Sequence, residues 1–283
     1  MIISVASGKG GTGKTLVATS LALALGDRGP VQFLDCDVEG PNAHLLLHPE
    51  LAPGEPVSIP TPVVDETACT YCGLCADVCA YHAIAVGKRN VVVFPELCHG
   101  CGACAYLCPH KAITEQEREV GLVQTGAAGD VQFIGGQLNV GEALAPPVVR
   151  AVKARALRQG IVIVDAPPGT SCPMVETVRG SDFCLLVTEP TPFGLNDLSL
   201  AADVVSILGI PSGVVINRDG EGADQIEESC RQKGMPVLLR IPLDRRIAES
   251  YCRGETLVQS MPQWRRPFQG LFQSIENLVG PRA

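Results

Sequence analysis

Gly8-Lys9-Gly10-Gly11-Thr12-Gly13-Lys14-Thr15 fits the pattern G-x-x-x-x-G-K-[ST], between the β-branched run Ile2-Ile3-Ser4-Val5 and a helical pattern over Lys14 to Gly26. Strand, glycine-rich turn and helix, in that order, are the setting in which such a loop wraps a phosphate. Glycines let successive backbone N–H groups curl around an anion, and the helix start adds partial positive charge. In that geometry Gly8, Gly10, Gly11, Thr12 and Gly13 form the cradle. Lys14 reaches the β- and γ-phosphates, and the Thr15 hydroxyl ligates Mg²⁺.

Outward from this loop, short apolar runs alternate with longer amphipathic stretches. Strands are expected at Ile2 to Val5, Val31 to Leu34, Ile161 to Val164, Cys184 to Val187, Gly213 to Ile216 and Val237 to Ile241. Helices are expected at Lys14 to Gly26, Glu142 to Arg158, Pro173 to Val178, Leu195 to Leu208, Ala223 to Lys233, Arg245 to Cys252 and Arg265 to Val279. Alternation of this kind predicts an α/β fold, a mostly parallel sheet with helices on both faces.

The rhythm breaks between Leu51 and Gly121. Pro53, Pro56, Pro60 and Pro62 lead in, and the Gly-rich stretch from Gly121 to Gly129 leads out. Such edges mark borders, so residues 1–60 and 118–283 are read as one discontinuous nucleotide-binding domain and 61–117 as a small inserted one. Within the insert two cysteine runs repeat, Cys69-x2-Cys72-x2-Cys75-x3-Cys79 and Cys98-x2-Cys101-x2-Cys104-x3-Cys108-Pro109. The spacing resembles that of two-cluster bacterial ferredoxins, in which the fourth cysteine of each run ligates the other cluster. It implies Cys69, Cys72, Cys75 and Cys108 around one [4Fe–4S] cube, and Cys98, Cys101, Cys104 and Cys79 around the other. Zinc is the competing reading, but structural zinc sites normally pair two separated C-x2-C units about one tetrahedral ion. Ala80 departs from the usual Pro after the fourth cysteine, and Pro109 keeps it.

Lys9, directly after the first glycine, gives the loop the deviant form GKGGTGKT, and the chain here resembles the MinD/ParA/Mrp class of P-loop ATPases. The resemblance implies that Lys9 reaches the nucleotide of the facing subunit in an ATP-sandwiched dimer. Asp35-Cys36-Asp37-Val38-Glu39-Gly40-Pro41-Asn42 resembles the switch I segment of that class, which makes Asp37 the orienter of the attacking water and puts Asp35 near Mg²⁺. Asp165-Ala166-Pro167-Pro168-Gly169-Thr170 resembles the Walker B and switch II segment, with Asp165 at the Mg²⁺ and the Gly169 N–H sensing the γ-phosphate. Asn217, Pro242 and Asp244 resemble base-binding positions. Lys9, Lys14 and Asp37 are thus the catalytic candidates.

Composition bounds the partners. With 22 Lys and Arg against 30 Asp and Glu over 283 residues, the net charge is −8, which argues against nucleic acid bound through bulk positive charge. Aromatics at 4% leave little for base stacking. Mean hydropathy of +0.21 with 46% hydrophobic residues indicates a folded chain, and its apolar runs fall short of the roughly 20 residues of a membrane span. No basic leader precedes an apolar stretch, so the expected location is the cytoplasm. Thirteen cysteines, an odd number, do not read as a secreted disulfide framework.

Cys172 and Cys36 flank the expected nucleotide site, either as core thiols or as metal ligands, while Cys184, Cys230 and Cys252 read as structural. The stripe Trp264, Phe268, Leu271, Phe272, Ile275 and Leu278 fits a helix closing the sheet better than a membrane foot.

Together these features resemble MinD-superfamily ATPases with an inserted ferredoxin domain. The leading expectation is an ATPase whose nucleotide-dependent dimer switch, as a homodimer or with a paralogue, gates electron transfer through two clusters to a redox partner. The alternatives are an iron–sulfur cluster carrier of Mrp type and a redox-sensing positioning ATPase.

Overall fold

The computed structural model describes residues 1–280. Its strands are β1 (Ile2–Ala6), β2 (Val31–Asp35), β3 (Glu50–Leu51), β4 (Glu55–Val64), β5 (Ile84–Val86), β6 (Val91–Val93), β7 (Ile113–Ala128), β8 (Val131–Leu138), β9 (Ile161–Asp165), β10 (Phe183–Thr188), β11 (Ser212–Asp219) and β12 (Val237–Pro242). The main sheet has the order β12-β11-β10-β1-β9-β2-β8-β7-β3, and β4 also pairs with β7. From β12 to β8 every pairing is parallel, and β7 runs antiparallel to β8, β3 and β4.

The parallel strands are buried on both faces, which is why they read as continuous apolar runs. All residues of Val31–Asp35 and Phe183–Thr188 are buried. On one face Ile3, Val5, Phe33, Ile163, Leu185 and Val215 pack beneath the helices Lys14–Ala24 and Arg265–Val279. Phe268, Leu271, Phe272 and Ile275 of the latter are in this core, so the C-terminal stripe does close the sheet. The other face has two cores. Met174, Val178, Leu198 and Val205 cover one half, and Val148, Val149 and Val152 cover Leu34, Ile134 and Val164 in the other. No helix among the described residues is long and apolar enough to cross a membrane.

One expected helix is much shorter than its pattern. Glu142 to Arg158 gives only Pro146–Lys153, because Pro146 and Pro147 fit a helix only in its first turn. The preceding residues are bound elsewhere, with the Asn139 N–H donating to the Val120 carbonyl.

The larger difference lies where borders were expected. The proline-rich lead-in is strand β4 and the glycine-rich lead-out is the second half of β7. Pro60 and Glu117 face each other across the β4–β7 ladder, so the boundaries read at 60/61 and 117/118 fall inside a continuous ribbon. Pro56, Pro60 and Pro62 occupy alternate positions of an edge strand, where a missing N–H need not interrupt the ladder. The glycines serve close packing: a Cβ at Gly121 would stand 2.4 Å from the Gln137 carbonyl oxygen, and one at Gly126 2.4 Å from the Glu50 carbonyl oxygen. Only residues 121–128 of β7 pair with β8; the part before residue 121 pairs with β4 alone and carries residues 65–112 at its far end, where β5 and β6 form a hairpin.

Candidate nucleotide and cysteine sites

The phosphate loop joins β1 to the Lys14–Ala24 helix. Gly13 adopts the left-handed conformation, φ 89°, and a Cβ there would lie 2.2 Å from Asn217 Nδ2. Glycine is therefore needed twice over, for the turn and for the approach of Asn217. At the start of the loop a Cβ on Gly8 would meet the Asp197 carbonyl oxygen at 2.0 Å.

Three carboxylates converge beneath the loop. Lys14 Nζ donates to Asp165 Oδ1 at 2.7 Å, Thr15 Oγ1 donates to Asp165 Oδ2 at 2.7 Å, and Asp37 Oδ2 lies 3.7 Å from Lys14 Nζ. Burial opposes the charge on Lys14, but Asp165, Asp37 and Asp35 outweigh it and hold the ammonium above its ordinary range. Burial, helped by Asp165, pushes Asp35 up to about 7. Burial also raises Asp37 to about 6, against the pull of Lys14. The arrangement surrounds one buried ammonium with three acidic side chains.

The pocket above is lined by Lys9 to Leu16, Asp37, Asn42, Pro168, Asn217, Arg218 and residues 242–252 in part. Lys9, Gly10, Gly11, Thr12, Gly13, Lys14, Thr15, Asp37, Asn217, Pro242 and Asp244 are thus brought together. Other expected residues sit differently. Asp35 is fully buried behind the lining, accepting from the N–H groups of Asp37 and Ala43 at 3.2 and 3.1 Å, so it braces switch I. Gly169 donates its N–H to the Ser7 carbonyl at 2.9 Å, so that N–H is engaged within the protein in this structure. Asn217 Nδ2 donates to the Thr12 carbonyl at 2.8 Å, which makes it a brace of the loop as well as part of the wall. Asp244 caps the Arg245–Cys252 helix through the Arg246 N–H.

Sequence reading missed the outer wall. Leu243, Ile247, Ala248, Tyr251 and Cys252 line the pocket from the last strand's exit and the helix after it. The spacing 247, 248, 251, 252 on a helix capped by Asp244 was the available signal. Asn42 and Arg218 were also missed as lining residues. Thr12 and Asn42 line this pocket, and their side-chain oxygens Thr12 Oγ1 and Asn42 Oδ1 are buried with no hydrogen-bond partner in the protein.

The cysteine runs gather into two solvent-open cavities of about 370 and 380 Å³. Cys69, Cys72, Cys75 and Cys108 line one, and Cys79, Cys98, Cys101 and Cys104 line the other. The backbone repeats at an offset of 29 residues. Left-handed φ values recur at Tyr71 and Gly100, at Gly73 and Gly102, and at His82 and Lys111. Amide-to-sulfur contacts recur at the same offset, Tyr71 to Cys69 and Gly100 to Cys98, both 3.4 Å, then Ala83 to Cys79 at 3.2 Å and Ala112 to Cys108 at 3.4 Å. Three of these left-handed residues carry side chains, a cost of order 1–3 kcal/mol each that persists where function demands it. Among the described residues no group of three or more His, Cys, Asp or Glu closes tightly enough to hold a single metal ion. Cys172 is exposed, whereas Cys36, Cys184 and Cys230 are buried.

Residues 3–258 match the CobQ/CobB/MinD/ParA nucleotide binding domain family. The chain belongs to that family. Among similar proteins, the uncharacterized protein MJ0578 of Methanocaldococcus jannaschii is 36% identical over 78% of this chain and 79% of its own. A second protein of the same organism, MJ0579, is 32% identical over 92% of each chain. The cytosolic Fe-S cluster assembly factor NUBP2 of Rattus norvegicus is 26% identical over 93% of this chain and 86% of its own. Among solved structures, the cell division ATPase MinD of Pyrococcus furiosus superposes with a TM-score of 0.59 over 98% of both chains at 24% identity. That likeness shows the family's fold in this chain.

Proposed function

We propose that this protein is an ATP-hydrolysing iron–sulfur protein that carries clusters for delivery to acceptor proteins, with nucleotide controlling release. The carrying observation is the segregation of eight cysteines into two four-thiol cavities on a ribbon rooted in the nucleotide-binding sheet. The relative named as an Fe-S cluster assembly factor supports the carrier role.

The donor chemistry fits iron–sulfur cargo. Four sulfurs around each cavity, with amide N–H groups aimed at several of them, suit a thiolate-bound cube whose charge the amides stabilise. The nucleotide site fits as well. Lys14 would bind the β- and γ-phosphates, Thr15 and Asp165 would hold Mg²⁺, and Asp37 would orient water. Leu243, Ile247 and Tyr251 would cover the base. Bound Mg²⁺ neutralises charge developing on the phosphates. In this reading the chain works as a dimer, closed on itself or on a paralogue, and the two relatives from one organism support the second possibility.

Electron transfer is the second reading, favoured by the strained left-handed residues that give each quartet its own cavity and so suit resident clusters. Anaerobic purification, followed by incubation with an apo acceptor and MgATP, separates the two. Iron leaving the protein supports the carrier, and retention of about eight irons with electron flow supports the relay.

A further inference from the structure

Glu189 follows β10 and is nearly buried, with its side chain 13% exposed. Lys9 Nζ donates to its Oε1, and Arg218 Nη1 donates to its Oε2 at 2.6 Å. Both cations also line the nucleotide pocket. Arg218 takes a left-handed φ of 54°, a conformation a branched or long side chain avoids without a compensating contact. The Glu189 main chain is tied to the next helix: the Thr191 N–H donates to the Glu189 carbonyl at 2.8 Å, and Thr191 caps the Pro192–Ile207 helix. That helix in turn presses Asp197 against Gly8 at the start of the phosphate loop.

We propose that Glu189 is a positioning residue, an internal anion that holds Lys9 and Arg218 against their own subunit until the polyphosphate of a nucleoside triphosphate takes their charge. This rests on the reading of the pocket as an ATP site. Binding then exchanges one anion for another, and Lys9 becomes free to act elsewhere, including on a facing subunit. Glu189 sets the nucleotide concentration at which the exchange occurs.

The test is MgATP binding by calorimetry to the full chain, with thermal melting alongside. Glu189→Gln is expected to tighten MgATP binding by about three- to tenfold, the scale of one or two partly exposed ion pairs. Glu189→Asp, too short to reach both cations, is expected to fall between wild type and Gln, and serves if the Gln variant does not fold. In a Lys9→Ala background the gain should be clearly smaller, because only Arg218 is then left for Glu189 to hold, whereas a mere loss of one negative charge near the pocket would give the same gain in both backgrounds. An unchanged affinity in both Glu189 variants, or an equal gain with and without Lys9, overturns the proposal. If wild type gives no heat with MgATP, the ATP reading itself fails and the proposal falls with it.

Discussion

Lys14 and Asp165 meet in a buried ion pair, 2.7 Å from Nζ to Oδ1, which ties the phosphate loop after β1 to the end of β9. Their side chains are 7% and 0% exposed. Removing one partner of such a pair leaves a charge in low dielectric, at a cost of about 3–5 kcal/mol. Asp165→Ala is therefore expected to lower the urea midpoint strongly. Lys14→Ala is expected to cost less, because Asp165 keeps its Thr15 partner, while abolishing ATP binding. Equal stability of the Asp165 variant and wild type would contradict this.

The ligand sets make a crossed prediction. Cys108→Ser should produce the same spectroscopic loss as Cys69→Ser, although they lie in different runs, because both side chains line one cavity. Cys79→Ser should match Cys98→Ser instead. Each variant should lose about four of eight irons. Iron analysis and electron paramagnetic resonance of reduced samples would read this.

Burial sorts the remaining thiols. It pushes Cys184 up to about 12 and Cys230 up to about 11, and raises Cys36 still further. Raised values keep these thiols protonated and unreactive at pH 8 in the folded chain. Exposed Cys172 and Cys252 should react with an alkylating reagent, and MgATP should slow labelling of Cys252 because it lines the pocket. Mass spectrometry of labelled peptides would locate the modified residues.

Asp37 and Asp35, raised by burial to about 6 and about 7, bind more protons in the folded chain than in the unfolded one. Their stabilising effect is complete below the ordinary carboxylate range and is lost as pH rises through 6 to 7. Without nucleotide, the urea midpoint should therefore fall between pH 5 and pH 8, by ~1–3 kcal/mol in stability. Asp37→Asn should flatten part of that slope.

Much of this was legible in the residues. The loop Gly8 to Thr15 and the runs Val31 to Leu34 and Ile161 to Val164 announce a parallel sheet, because strands buried on both faces leave no polar alternation to misread. The β4–β7 ribbon was not legible. Pro56, Pro60 and Pro62 look like a linker until an edge strand supplies the one place where alternating prolines are harmless. Gly121 and Gly126 look like a flexible exit until the Gln137 and Glu50 backbones are seen crowding them. The roles of Asp35 and Gly169 also needed coordinates, since only the fold shows that their polar groups are already taken by Ala43 and Ser7. Glu189 carried no motif, and its importance arises from two distant cations meeting on it.

In the proposed function, nucleotide bound at the Lys14 loop governs release of clusters held by the cysteine cavities of the same chain. Iron transfer from anaerobically purified protein to an apo acceptor, with and without MgATP, in wild type and Lys14→Ala, tests it most directly. Transfer should be accelerated by MgATP in wild type and not in the variant, although the variant's clusters are intact. Equal transfer in all four conditions, or purified protein with no iron, would contradict it.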